Sequence, residues 1–153
     1  GARRKHRRLL MSLCVIGRRD GSVRSVPVMV ARLLAIGLTG AMGWIHLRLW
    51  LGGYREVPVV GMLFLLNGIG AIALATALLV APARLLSIAA MLAALFTAGT
   101  LAGLILSLTV GLFGVHESLQ TPLVPATLII ESTGVLVLVV TVILAHKHQR
   151  TSA

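Results

Sequence analysis

Cysteine is all but missing from this chain: Cys14 stands alone, so no intrachain disulfide can form and nothing implies an oxidising compartment. Aromatic residues are scarce at 4%, fewer than a packed soluble core normally uses. Charged residues make up only 12% against 58% apolar, and the mean hydropathy is +0.99, which excludes water as the main solvent. There is no G-x-S-x-G elbow, P-loop or dinucleotide fingerprint, and no H-x-x-H, E-x-x-H or C-x-x-C spacing. Soluble-type catalysis therefore has no support in the residues, and the expectation leans away from an enzyme.

What is present is Gly and Ala within long apolar runs. Small residues suit helices that touch inside lipid, where close backbone approach replaces the hydrophobic driving force. Four runs follow one another at about residues 27–51, 57–80, 85–113 and 122–145. Each reaches the ~20 residues needed to cross a hydrocarbon core of about 30 Å. The five prolines, Pro27, Pro58, Pro82, Pro122 and Pro125, fall where these helices are expected to begin, since the first turn tolerates a missing amide hydrogen. Glu56 precedes the second run, and Glu117 and Thr121 precede the fourth, each near a positive helix end. Short loops favour neighbouring antiparallel helices. The expected fold class is all-α: a polytopic membrane protein with a four-helix antiparallel up-and-down transmembrane bundle over residues 27–146, flanked by tails at 1–26 and 147–153.

The net charge of +10 is unevenly placed. Arg3, Arg4, Lys5, Arg7, Arg8, Arg18, Arg19 and Arg24 precede the first run, with Asp20 the single acid among them. No small-residue cleavage site follows the short apolar stretch Leu9–Ile16, so the segment reads as a basic tail and not as a signal peptide. The chain opens on Gly1, and Met11 is a candidate initiator. Contact with anionic lipid headgroups by Arg3, Arg4, Lys5, Arg7, Arg8, Arg18 and Arg19 is expected, at about 1 kcal/mol per residue near the surface. Nucleic acid is not the expected partner, because no aromatic residue is interleaved with these charges. Arg84 in the second loop and Lys147 and Arg150 at the end add to the same side, while the other loops keep Arg48 and Arg55. The positive-inside bias then puts both termini in the cytoplasm, and a plasma membrane is the expected location. Trp44, Trp50 and Tyr54 cluster where the first hairpin meets the outer headgroups.

Two lengths are awkward. Only fifteen residues separate Arg32 from Arg48, about 22 Å of helix, so these arginines must snorkel apart or face protein. The third run, about thirty residues and about 45 Å as a helix, must tilt or project beyond the bilayer. Small residues recur at four-residue spacing: Gly99, Gly103, Ser107 and Gly111 in one line, and Ala90, Ala94, Ala98 and Ala102 beside it. Such a line serves packing within the bundle or a homodimer.

Ionisable groups at membrane depth cost about 2.5–3.5 kcal/mol each on insertion scales, so each calls for a reason. His46, Asn67 and Glu131 all fall in the outer half, with His116, Glu117 and Arg55 in the loops above them. Three arrangements are open: a proton-accepting pair of Glu131 and His46; a divalent metal held by His46, His116, Glu117 and Glu131; or a buried hydrogen-bond network that locks helix pairing. His146 and His148 read as interfacial cations near a helix terminus. Two functional classes follow, an accessory or interaction protein with an outward-facing polar pocket, or a small transporter or metal- or redox-linked protein.

The stretch from Gly53 to Asn67, GYREVPVVGMLFLLN, preceded by His46 and Trp50, resembles a group of uncharacterised four-span membrane proteins of actinobacteria. In that group a histidine closes the first span, a GYR-x-[IV]-P-x-[IV]-G turn opens the second, and an acid sits in the last span, here Glu131. The resemblance singles out His46, Tyr54, Arg55, Pro58, Gly61 and Asn67 and implies no reaction.

Overall fold

A computed structural model describes the backbone of residues 2–152 and the side chains of residues 26–151. The basic side chains from Arg3 to Arg24, with their expected headgroup contacts, lie outside the described residues. Four α-helices follow in order: α1 (Ala2–Leu51), α2 (Val60–Val80), α3 (Ala83–Thr109) and α4 (Val124–Ser152), with a short 3-10 turn at Tyr54–Glu56. The apolar stretch of α1, Val26–Leu51, and the other three helices each have the length and composition to cross a membrane. Among the described residues there is no strand, only an isolated bridge between Leu112 and Val115.

The chain runs up and down, so the α1–α2 and α3–α4 connections share one end, called here the upper end. The α2–α3 connection lies at the lower end. Around the bundle α1 packs on α2 and α4, and α3 packs on α4, while α2 and α3 make the thinnest contact of the adjacent pairs. The outer surface is a belt of large apolar side chains: Leu33, Leu66, Leu92, Ile129 and Leu136 are all more than half exposed. A belt on all four helices is far beyond the apolar patches a water-soluble monomer presents. The protein is a multi-pass membrane protein.

Prolines mark the helix starts unequally. Pro82 is the N-cap of α3, Pro125 lies in the first turn of α4, and Pro58 and Pro122 each stand two residues before a helix. Pro27 lies inside α1 instead of opening it. Proline inside a helix removes one backbone hydrogen bond without forcing an end, so it is a weaker boundary signal than the sequence suggests.

The lower half is closed. Ala35, Leu78, Leu86, Ala90, Ala93, Leu138 and Ala145, from all four helices, form a core with no residue more than 2% exposed. Arg32 faces protein at the lower edge of the bundle: Nε donates to the Leu78 carbonyl at 2.8 Å, and Nη2 donates to those of Leu79 and Ala81 at 2.7 and 2.8 Å. Its guanidinium thus satisfies the open carbonyls at the negative end of α2. Gln149 ties α4 to the start of α3 by donating to the Ala83 carbonyl at 2.7 Å. Arg48, at the upper end, lies over the Trp44 ring at 5.4 Å.

Higher up, α1 and α2 touch through missing side chains. A Cβ on Gly43 would meet the Ala71 Cβ at 3.0 Å and the Gly68 carbonyl at 3.2 Å. Phe96 of α3 fills the space left by Gly70 of α2, where a Cβ would come within 2.7 Å of its ring. The third apolar run does not form one helix of thirty residues: α3 ends at Thr109, and the chain turns through Gly111 at φ 82° and Phe113 at φ 52°. The last four apolar residues, 110–113, belong to the turn, which removes part of the expected overhang.

Candidate functional site

Above the closed half the helices part around a cavity of about 400 Å³. It reaches from His46, Asn67 and Glu131 up to Tyr54, Leu112, Val115 and Glu117 in the two upper connections. Small residues make the room, since Gly99, Gly103 and Ser107 of α3 line it. These three therefore bound a void where the sequence had suggested a helix contact, and Gly111, fourth in that line, lies beyond the end of α3. The neighbouring alanine line is buried at Ala90 and exposed at Ala98 and Ala102, so it serves the core only at its lower end.

His46 and Glu131 form the deepest polar pair. Their side chains are 7% and 1% exposed, and Nε2 stands 3.7 Å from Oε1, within ion-pair range but beyond a hydrogen bond. His46 Nδ1 lies 3.0 Å from the Met42 carbonyl. A carbonyl oxygen only accepts, so Nδ1 carries a hydrogen and Nε2 is the nitrogen left to face Glu131. The pair is neutral when one further proton is shared between them, either as carboxylic acid beside a neutral ring or as carboxylate beside imidazolium. Among the described residues neither carboxyl oxygen of Glu131 closes a hydrogen bond, since the nearby Thr100 hydroxyl donates to the Thr97 carbonyl at 2.8 Å, and the buried hydroxyls of Thr39 and Thr97 below it are likewise without a partner. Buried polar atoms are normally paired. A network built only to lock the helices would have closed these bonds, and Asn67, half-buried on the same wall, has no hydrogen bond to either residue.

The upper rim is built from the two connections. Tyr54 donates its hydroxyl to Glu117 Oε1. Its ring stacks on Phe64 with centroids 4.6 Å apart, and Phe64 in turn lies 5.3 Å from the His46 ring. Contacts therefore run from the rim to the floor. Burial, then the hydrogen bond to Glu117 and its charge, push the Tyr54 phenol above its ordinary range, so it stays a donor. Glu117 is also held by its own amide, which donates to the Ser107 carbonyl at 3.2 Å, while Ser107 Oγ donates to the Val115 carbonyl.

Of the residues singled out in the sequence, His46, Asn67, Glu131 and Glu117 share this cavity, and Arg55 and His116 do not. Arg55 is exposed and pairs with its neighbour Glu56 at 3.3 Å. His116 is exposed and folds over Gly111, where a Cβ would come within 2.5 Å of Nε2. The four candidate ligands His46, His116, Glu117 and Glu131 accordingly do not converge, and among the described residues no three His, Cys, Asp or Glu side chains come close enough to share a metal ion. Sequence reasoning singled out Tyr54 by resemblance without joining it to the pocket, and missed Phe64 and Phe96 as walls and Thr127 as a lining hydroxyl. A signal existed for two of these: the chain has three Phe, and two of them face this one cavity.

Fold and cavity together define a membrane-spanning helical bundle with a buried ionisable pair. Compared with protein-family models, curated proteins and solved structures, the chain matches none of them.

Proposed function

We propose that the chain is an accessory protein of the bacterial plasma membrane that holds a small molecule in a pocket open to the outer face. One observation carries this reading: Glu131 is 1% exposed at the base of a cavity of about 400 Å³, facing His46 at ion-pair distance but with neither carboxyl oxygen in a hydrogen bond. A buried carboxyl without a hydrogen bond is costly, and such costs are characteristic of functional positions in membrane interiors. The closed lower half supports holding over conduction, because the core from Ala35 to Ala145 and the Arg32 cap leave no continuation below the pair. The distribution of Lys and Arg supports an upper end that faces outward, with both termini in the cytoplasm. The turn that carries the resemblance to the actinobacterial four-span group, Gly53 to Gly61, supplies the Tyr54 rim, which supports a common use of this pocket in that group.

The test uses the full chain with Cys14→Ser, so that an introduced thiol is unique, and Gly103→Cys on the cavity wall. A Cβ at Gly103 meets only the Leu112 side chain, at an ordinary 3.8 Å. A membrane-impermeant maleimide added to intact cells is expected to label this variant. Labelling only after the inner face is exposed would overturn the reading.

A further inference from the structure

The character of the cavity wall limits what it can hold. Its ionisable lining consists, among the described residues, of Glu131, Glu117, His46 and Tyr54, with no Lys or Arg. Around Glu131, α1 contributes His46, α2 contributes Asn67, and α3 contributes Thr100 and Ser107; the connections add Tyr54 and Glu117. Two carboxyls against one imidazole, in an environment of low dielectric, repel an anion and favour a cation. The remaining wall is mostly apolar and includes the aromatic rings of Phe64 and Phe96, side chains of the kind that attract organic cations. A volume of about 400 Å³ falls within the usual ~300–1,000 Å³ of small-molecule sites. The α2–α3 pair, which lines the cavity from both sides, is also the most thinly packed of the adjacent pairs, the natural place for a lipophilic guest to enter from the hydrocarbon region.

From these features we infer that the cavity binds a lipophilic monocation, an alkyl or aryl ammonium or a related onium ion, with its charge against Glu131 and its apolar body against Phe64 and Phe96. The inference rests on the pocket reading above and names the class of its ligand. Charge balances by exchange: the cation takes the place of the proton shared by His46 and Glu131, and that proton leaves to the outer solution. An anion of the same shape has no such exchange open to it. A metal ion is a poorer guest, because among the described residues no third His, Cys, Asp or Glu joins the pair in a metal-binding group.

The experiment places the purified full chain in nanodiscs of zwitterionic lipid and measures binding of tetraphenylphosphonium and of its isosteric anion, tetraphenylborate, by equilibrium dialysis against empty nanodiscs. The expected result is saturable binding of the phosphonium, with proton release in weakly buffered solution, and no saturable binding of the borate. Glu131→Gln is expected to weaken phosphonium binding about tenfold or more, a change of about 1.4 kcal/mol. Equal binding by a folded Glu131→Gln variant, or saturable binding of the borate, overturns the inference. Should Glu131→Gln fail to fold, protection of the Gly103→Cys thiol by the phosphonium decides instead. Labelling that the phosphonium leaves unchanged overturns the cation class while the outward pocket stands. A thiol that the impermeant reagent never reaches from outside overturns both.

Discussion

Tyr54 donates its hydroxyl to Glu117, so the connection after α1 is tied to the connection before α4 directly above the buried His46–Glu131 pair. This bond joins the two hairpins of the bundle at their open end. Tyr54→Phe keeps the ring stack on Phe64 and removes only the bond. The expected cost is about 1–2 kcal/mol, less than a fully buried bond to a carboxylate because Tyr54 is partly exposed. Hydrogen exchange should speed up in both connections, and the Gly103→Cys thiol should react several-fold faster. The alkaline limb of stability offers a second check. A phenol whose pKa rises on folding contributes stability that is fully present below its unfolded value of about 10 and is lost as pH climbs through the folded value. Thermal stability of the parent should therefore fall above about pH 10, and Tyr54→Phe should lose that part of the slope.

At the opposite end Arg32 serves three carbonyls of the α2 terminus at once. Arg32→Ala leaves those carbonyls without a protein donor at the edge of the apolar region, and a loss of about 2–3 kcal/mol is expected. Arg32→Lys should recover only part of it, since an ammonium cannot reproduce the planar fork that reaches Leu78, Leu79 and Ala81 together. Denaturation of the reconstituted protein followed by circular dichroism measures both. Equal stability of all three proteins would show that lipid headgroups or water replace the guanidinium.

Arg32 also illustrates where sequence reasoning stops. That it must leave the lipid was legible from the short interval to Arg48. Its partners lie 46 to 49 positions away, and choosing them requires the rotation of α1 about its own axis. The four spans were legible because a bilayer imposes a length on every run, and Glu131 and His46 were legible because charge at that depth is rare. The metal quartet failed for a local reason: His116 and Glu117 are adjacent, yet backbone turns send one over Gly111 and the other to Tyr54. The glycine line is cut short at its fourth member, because four-residue spacing is meaningful only within a helix and α3 ends before Gly111.

Gly61 and Gly37 make a contrasted pair. A Cβ on Gly61 would stand 2.6 Å from the Tyr54 carbonyl oxygen and 2.9 Å from the Arg55 Cα, backbone atoms that cannot swing aside. Gly37 is exposed in mid-helix with nothing within 4 Å. Gly61→Ala is expected to cost about 1–3 kcal/mol through overpacking and to displace Tyr54 from Glu117. Gly37→Ala should be neutral or stabilise by up to about 1 kcal/mol through helix propensity. Melting temperatures of the two variants, with tyrosine fluorescence as a report on the rim, check the contrast. A neutral Gly61→Ala would mean that the turn beneath Tyr54 is slack.

The turns that lead into α2 and α4 share an unusual backbone. Pro58-Val59-Val60 and Pro122-Leu123-Val124 each place a non-glycine residue at positive φ, Val59 at 67° and Leu123 at 70°, just before a buried valine that lines the cavity. Val59, with ψ −55° and the Val60 amide donating to the Pro58 carbonyl at 2.7 Å, forms a γ-turn of the rare strained kind. A β-branched residue pays most in this region, about 1–3 kcal/mol. Val59→Gly removes that strain and the exposed side chain together, against a backbone entropy cost of up to about 1 kcal/mol. A net gain of about 1 kcal/mol is expected, with Leu123→Gly gaining less because leucine is not β-branched. If the tight turn holds the cavity open by fixing Val60, the same substitution should weaken phosphonium binding while it raises the melting temperature. A gain in stability without loss of binding would show the strain to be incidental to the pocket.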